Sequence, residues 1–133
     1  MTQNEKDLLI KDLCARLSYG IEVEYNSIKC EVLSIDTYNE ELTIRVCPGY
    51  CPVVKLEDVK PFLFPLSSMT EEQKKEYRKV CELDTEILEN HPMDGSPFPA
   101  MYNSQDWLDA HHFDYRGLIP MGLALDATGL NIY

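Results

Sequence analysis

The stretch IEVEYNSIKCEVLSI, residues 21–35, decides the fold of this chain. Apolar and polar side chains alternate along both of its halves, which is the period of a β-strand with one buried face. Asn26 and Ser27 separate the halves and favour a tight turn. The alternation changes phase between Val32 and Leu33, as it does at a β-bulge. The stretch therefore predicts an antiparallel hairpin whose second strand carries a bulge.

Two further short strands are expected after this hairpin. Alternation returns over residues 42–46, and another apolar run at 53–56 follows a break at Pro48 and Gly49. Residues 57–61, EDVKP, are expected to form a single helical turn. Strands this short, joined by tight turns, predict a small curved antiparallel sheet or an SH3-like barrel of three to five strands.

The N-terminal residues have the period of a helix. Leucines recur every fourth residue, at Leu9, Leu13 and Leu17. Asn4 is the predicted N-cap, and residues 18–20, Ser-Tyr-Gly, are the predicted stop. Lys11, Asp12 and Arg16 are expected on the opposite, polar face.

The second half of the chain is predicted to be mainly helical. Residues 62–66, FLFPL, are apolar and bounded by prolines, so we interpret them as an extended connector that crosses the sheet. Thr70 with Gln73 three positions later matches a capping box, which predicts a helix over 71–89. Residues 90–104 carry three prolines and a glycine and are expected to form a loop.

These elements predict one α+β domain over residues 1–133. An N-terminal helix and the small sheet occupy 1–66, and a long helix and a C-terminal helical segment occupy 67–133. A chain of 133 residues with 44% hydrophobic residues is long enough to bury one core.

The charge of the chain restricts its partners and its location. Twelve basic residues against 23 acidic ones give a net charge of −11, which repels nucleic-acid phosphates and anionic membranes. Residues 118–125 are far shorter than the roughly 20 apolar residues that span a bilayer, and no secretory segment opens the chain. The odd number of cysteines suits reduced thiols. We expect a soluble cytoplasmic protein, monomeric or weakly dimeric, that binds neither nucleic acid nor membrane directly.

The stretch most crowded with polar groups is DWLDAHHFDYRGLI, residues 106–119. In a catalytic interpretation, an aspartate is the general base, a histidine is the acid and Arg116 holds an anion. Neighbours on a short helix seldom converge on one substrate, and the chain has no GxSxG motif or glycine-rich phosphate loop. We therefore predict no catalytic residue and no enzyme activity.

A metal site is a second interpretation of this stretch. His111 and His112 are adjacent and point about 100 degrees apart on a helix, whereas helical metal pairs are three or four residues apart. Asp109 with His112, and His111 with Asp114, have such spacings, and His91 is a further candidate. This mixed nitrogen and oxygen set would suit zinc or iron. Because no second spaced pair accompanies it, we predict no cofactor.

We favour a structural interpretation of residues 106–119. Asn103 or Ser104 is expected to cap a short helix that has Asp106 in its first turn, and Asp114 is expected to cap a second helix starting at Tyr115. Arg116 is expected to pair with a nearby carboxylate. The side chains expected in the core are Trp107, Phe113, Tyr115, Leu118 and Ile119.

Three motifs carry a resemblance to a known group of proteins. EDVKP at 57–61, PLSSMTEEQ at 65–73 and HHFDYRGLI at 111–119 occur in this order. Over roughly residues 5–130 the chain resembles a family of short uncharacterised proteins of gut bacteria, often encoded in prophage or other mobile regions. The resemblance implies no activity. Pro120 departs from the family pattern, in which a charged helix former is expected, and this weighs against a continuous last helix.

The function expected from these features is that of a non-enzymatic accessory or protein-interaction module, related to phage or mobile elements. Aromatic residues are the candidates for contacting a partner protein: Tyr38, Tyr50, Phe98 and Tyr102. One alternative is an acidic decoy that mimics DNA and inhibits a DNA-binding protein. The other is a small metal-dependent enzyme or metal-binding protein that uses His111, His112 and a nearby aspartate.

The segment CPGYC, residues 47–51, is the remaining candidate site. Its two cysteines would suit half of a zinc knuckle or a small redox loop. Knuckles come in pairs, however, and the other three cysteines stand alone in the sequence. We therefore interpret the segment as a tight hairpin.

Overall fold

The computed structural model describes residues 1–90 and 104–133, with side chains described for 1–82 and 104–133. The helices are α1 (Gln3–Arg16), α2 (Glu71–Asn90) and α3 (Ser104–Ala110). The strands are β1 (Glu22–Tyr25), β2 (Ile28–Asp36), β3 (Glu41–Arg45), β4 (Val53–Lys55), β5 (Val59–Pro65), β6 (Phe113–Asp114) and β7 (Leu125–Asp126). The predicted α+β class with an N-terminal helix is confirmed. Most of the loop predicted at 90–104 lies outside the described residues.

The strands form one sheet in the order β4-β3-β2-β1-β5-β6. Neighbours from β4 to β5 are antiparallel, whereas β6 and β7 each pair two residues in parallel with β5. Because β4 and β6 end this order without pairing with each other, the described strands form an open sheet. The predicted antiparallel sheet is thus confirmed from β4 to β5, and the predicted barrel is wrong. The prediction of three to five strands is also wrong, since the described residues form a sheet of seven strands, two of which pair in parallel with β5.

The hairpin predicted from residues 21–35 consists of β1 and β2. Val23 pairs with Cys30, and Asn26 and Ser27 make the turn with positive φ angles of 50° and 64°. The register between β2 and β3 shifts between Val32 and Ser34, which confirms the predicted bulge.

The N-cap of helix α1 is Thr2, two residues before the predicted N-cap. The side chain of Thr2 accepts a hydrogen bond from the backbone N–H of Glu5, and the Glu5 carboxylate accepts one from the N–H of Thr2. This reciprocal capping box outcompetes Asn4, which therefore lies within the first turn. Gly20 ends the following 3-10 turn with a φ of 86°, which confirms the predicted stop.

The segment interpreted as a connector is instead strand β5. The single helical turn before it is a 3-10 turn at Leu56–Asp58, so the strand begins at Val59. Phe62 and Leu63 point to opposite faces, yet they are only 6% and 0% exposed. A strand covered on both faces has a continuous apolar sequence that lacks alternation, which is why the sequence suggested a connector.

The second helix expected after Asp114 is absent from the described C-terminal residues. Phe113 and Asp114 pair in parallel with Phe64 and Pro65 of β5 instead. Turns follow, with Gly117 and Gly122 both at a φ of 77°. Since helical residues require negative φ, these glycines exclude a continuous helix over residues 115–122.

The core has two parts that meet near the C-terminal residues. The main part packs Leu9 and Leu13 of α1 against buried residues of the sheet and against Leu118. The second part is formed by Trp107, Leu108 and Phe113 together with partly buried residues of α2 and β5. Among the helices described, none has the length and apolar character that crossing a membrane demands.

Candidate functional site

A group of charged side chains lies buried between α1 and the C-terminal residues. We call it the charged cluster; its members are Asp12, Arg16, Asp109, Tyr115 and Arg116. Asp12 and Arg16 have no exposed side-chain surface and form a two-pronged ion pair, with Nε and Nη2 of Arg16 at 2.9 and 3.0 Å from the carboxylate. Because they are four residues apart on α1, their side chains lie on the same face of the helix.

The second arginine joins this pair from the other end of the chain. Nη1 of Arg116 donates to Oδ1 of Asp12 at 2.7 Å and lies 3.7 Å from Oδ1 of Asp109. Nε of Arg16 lies 3.9 Å from the same Asp109 oxygen. The cluster thus holds two carboxylates and two guanidinium groups, so its formal charges balance.

Tyr115 lies against both arginines. Its hydroxyl donates to Oδ1 of Asp109 at 2.8 Å. The guanidinium carbons of Arg116 and Arg16 lie 4.4 and 5.5 Å from the centre of its ring, within the range of cation–π attraction.

Burial is the main cause of the pKa shifts in the cluster. Burial, and then the hydrogen bond to Asp109, raise the pKa of Tyr115 to about 12, so its hydroxyl stays protonated. Burial also raises the pKa of Asp109, against the opposing effects of Tyr115, Arg16 and Arg116. With Arg16 and Asp12 fully covered, the charges are directed at one another and not at open solvent.

Asp114 binds backbone amides, although no helix follows it. Its two carboxylate oxygens accept hydrogen bonds from the N–H groups of Leu118 and Ile119, each at 2.9 Å. The prediction that Asp114 caps a helix is therefore wrong. Asp114 ends strand β6 and binds the turn that follows it. Next to it, the Phe113 carbonyl accepts from Nη2 of Arg16 at 2.6 Å.

His111 is engaged with the tryptophan of α3. Its Nδ1 lies 2.8 Å from the carbonyl oxygen of Trp107, and the two rings stack with their centres 4.0 Å apart. The indole N–H of Trp107 donates to the carboxylate of Glu76 on α2 at 3.0 Å. Trp107 is fully buried and joins α3 to α2, and Asp106 lies in the first turn of α3.

His112 faces a different neighbour. Its ring stacks on that of Tyr133, with centres 3.5 Å apart and planes 9° apart. Burial, and then the positive charges of Arg16 and His111, lower the pKa of His112 to about 4, so the ring is neutral at pH 7. Its φ of 63° is a left-handed conformation that histidine tolerates better than most residues.

The structure does not bring the metal candidates together. Asp109 is bound to Tyr115, and Asp114 to backbone amides, while the two histidines stack on separate rings. Within the described parts of the chain, no group of three or more potential ligands is positioned to hold a metal ion. His91 lies outside those parts.

The segment CPGYC forms the tight hairpin turn between β3 and β4. The N–H of Tyr50 donates to the carbonyl of Cys47 at 3.0 Å, and Gly49 between them has a φ of 84°, as the third position of a type II turn requires. Cys47 and Cys51 are exposed free thiols.

The candidate partner-binding aromatics are separated in space. Tyr38 is 92% exposed in the turn between β2 and β3, and Tyr50 is 57% exposed in the turn between β3 and β4. These turns lie at opposite ends of β3. Phe98 and Tyr102 lie outside the described residues.

Two residues that sequence reasoning placed in solvent turn out to be buried. Asp12 and Arg16 were expected on the polar face of α1, yet that face is covered by the C-terminal segment. The only local signal is their four-residue spacing, because their partners lie about a hundred residues away. The capping pair Thr70 and Gln73 does exchange both expected hydrogen bonds, at 2.9 and 3.1 Å.

Comparison with protein-family models, with curated proteins and with solved structures found no match for this chain. The function therefore has to be argued from the geometry of its own residues.

Proposed function

We propose that this protein is a non-enzymatic accessory module that binds another protein. The observation that carries the proposal is the bonding of residues 106–116. The hydroxyl of Tyr115 bonds to Asp109, and the guanidinium group of Arg116 bonds to Asp12 of α1. The carboxylate of Asp114 binds backbone amides, so these side chains join α1 to the C-terminal segment and hold its turn. The stretch with the densest set of potentially catalytic side chains thus supports the fold.

The proposed partner surface lies on the β3–β4 hairpin. We call it the hairpin surface, and it consists of Tyr50, Val53 and the outer edge of β4. Tyr50 is 57% and Val53 62% exposed. Aromatic and apolar side chains with this much exposed surface gain from being covered by a partner.

The edge of β4 supports an extended peptide as the partner segment. Among the described strands, β4 pairs only with β3. Backbone bonds from Ile44 to Pro52 and from Leu56 to Glu40 set the register, so the N–H and C=O groups of Val53 and Lys55 point to the open side. An added strand would find hydrogen-bonding groups and a partly apolar surface there.

A site-specific crosslinking experiment tests this proposal. A photoreactive amino acid at position 50 or 53, expressed in the native host, should capture a discrete protein. The same amino acid at position 38 is the matched control, because Tyr38 is more exposed but lies at the other end of β3. Equal capture from positions 38 and 50, or none from positions 50 and 53, would count against the hairpin surface.

The net charge favours a second candidate, an acidic decoy that blocks a DNA-binding protein. We also propose that the protein belongs to the prophage and mobile-element setting that the family resemblance implies. The decoy role would suit that setting. A decoy would compete with DNA for the captured protein. If duplex DNA added to the lysate before irradiation leaves the yield of the crosslinked product unchanged, the captured protein is an ordinary partner.

A further inference from the structure

Two buried polar atoms beside the charged cluster have no hydrogen-bond partner among the described residues. One is Nη1 of Arg16, in a fully buried residue, and the other is Nδ1 of His112, in a residue that is 9% exposed. Buried polar atoms are nearly always hydrogen-bonded to protein or to ordered water, because losing hydration without compensation is costly.

The two atoms have complementary hydrogen-bonding character. Nε and Nη2 of Arg16 already donate to Asp12 and to the Phe113 carbonyl, so the N–H groups left over are those of Nη1. A neutral imidazole has one N–H and one bare nitrogen, and His112 is neutral at pH 7. One atom is therefore a donor, and the other is an acceptor whenever the proton is on Nε2.

The residues that carry the two atoms are linked through Phe113, and the charge of Arg16 acts on the His112 ring. Arg16 bonds to the carbonyl of Phe113, the residue directly after His112. The backbone of His112 is fixed on both sides, since its N–H donates to the backbone carbonyl of Asp109 at 3.2 Å and its carbonyl accepts from the N–H of Phe64 at 2.8 Å. Tyr133 covers the ring, and its own hydroxyl donates to the carbonyl of Phe62 at 2.9 Å.

We propose that these two residues form a binding site for one water molecule, which accepts a hydrogen bond from Nη1 of Arg16 and donates one to Nδ1 of His112. Water is the ligand that fits, because it accepts and donates at once. With Nδ1 bare, an anion could accept from the guanidinium but would have no hydrogen for Nδ1; an anion would require the proton on Nδ1, which the tautomer measurement below distinguishes. A metal cation would be repelled by Arg16. The site does not depend on the proposed function.

The proposal fixes the tautomer of His112. A water that donates to Nδ1 requires the proton of the neutral ring to lie on Nε2. The groups that surround the ring are Arg16 from α1, His111 from the end of α3, and Tyr133. The water thereby links the charged cluster to the stacked pair of rings.

Nuclear magnetic resonance on the whole labelled chain tests the site directly. Long-range proton–nitrogen spectra at pH 7 should show His112 with Nε2 protonated and Nδ1 bare. Water-selective cross-relaxation should connect the Nη1 hydrogens of Arg16 to a bound water. A proton on Nδ1, or the absence of that cross-peak, would overturn the proposal.

Two substitutions at position 112 add a matched comparison. His112→Asn retains a polar group near the Nδ1 position and tolerates positive φ, whereas His112→Leu removes the acceptor. The water signal at Arg16 should persist in the Asn variant and be lost in the Leu variant. Equal signals in both variants would contradict the site, and if either variant fails to fold, the spectra of the unaltered chain decide.

Discussion

Asp12 and Arg116 are joined by a hydrogen bond of 2.7 Å although 104 residues separate them in sequence. One lies on the first helix and the other in the turn after strand β6. Asp12 also holds Arg16, so a single carboxylate binds two guanidinium groups. This arrangement makes Asp12 the centre of the charged cluster.

Replacing that central carboxylate should be costly. Asp12→Asn keeps the size of the side chain but leaves two buried arginines facing Asp109 alone. Removing one partner of a buried ion pair typically costs about 3–5 kcal/mol. Denaturant unfolding should therefore show a midpoint far below that of the unaltered chain.

Asp7→Asn is the matched control for this substitution. Asp7 lies on the same helix, but it is exposed and accepts a hydrogen bond from the side chain of Gln3. Its replacement should change the free energy of unfolding by less than about 0.5 kcal/mol. Similar losses from both substitutions would mean that the cluster contributes nothing beyond a surface charge.

Removing one hydroxyl tests the contact of Tyr115 with the cluster. Tyr115→Phe retains the ring between the arginines but leaves Oδ1 of Asp109 without its donor at 2.8 Å. The expected loss is about 1–3 kcal/mol, the usual cost of an unsatisfied buried acceptor. Tyr38→Phe, at an exposed position, should be neutral, and calorimetric melting of both variants provides the comparison. An unchanged melting point for Tyr115→Phe would show that this hydrogen bond is dispensable.

The stability of the protein should depend on His112 in mild acid. The pKa of His112 is about 4 in the folded chain against 6.5 in the unfolded chain, so the unfolded chain binds the proton more readily between these values. The free energy of unfolding should therefore fall as the pH is lowered from about 6.5 to about 4. The shift corresponds to a loss of about 3 kcal/mol at most.

The raised pKa of Asp109 acts in the opposite direction. The folded state binds that proton more readily than the unfolded state, so stability is gained as the carboxyl protonates at low pH. Subtracting the pH profile of His112→Asn from that of the unaltered chain isolates the histidine. If the two profiles are parallel from pH 7 to pH 4, His112 is not the group responsible.

Metal content should not depend on the adjacent histidines. His111 lies against the Trp107 carbonyl and His112 under Tyr133, so neither ring is directed at a shared ion. Elemental analysis of the purified chain should give the same zinc and iron content before and after His111→Ala. A stoichiometric metal lost from the His111→Ala or His112→Ala variant would revive the metal-binding alternative.

The sequence predicts those parts of the fold whose signals are local. The β1–β2 hairpin and its bulge follow from alternation within fifteen residues, and the capping pair of Thr70 and Gln73 from a spacing of three. Strand β5 was missed because burial on both faces removes alternation. A strand or a turn can therefore be predicted where the residues next to it in sequence reveal which side chains are buried.

The charged cluster could not be predicted in the same way. Asp12 and Arg16 are residue types that are usually found on an exposed helix face. That face is buried only because the C-terminal segment packs over it. The sequence did indicate that Arg116 pairs with a carboxylate, but nothing local identified Asp12 as its partner. Contacts across about a hundred residues depend on the tertiary fold.

The most direct test of the charged cluster is a double-mutant cycle between Asp12 and Arg116. The free energy of unfolding is measured for the unaltered chain, Asp12→Asn, Arg116→Gln and the double variant. If these two residues hold α1 to the C-terminal segment, the double variant should lose less than the sum of the single losses, with a coupling of about 0.5–3 kcal/mol. Strictly additive losses would contradict the cluster as the element that joins the two ends of the fold.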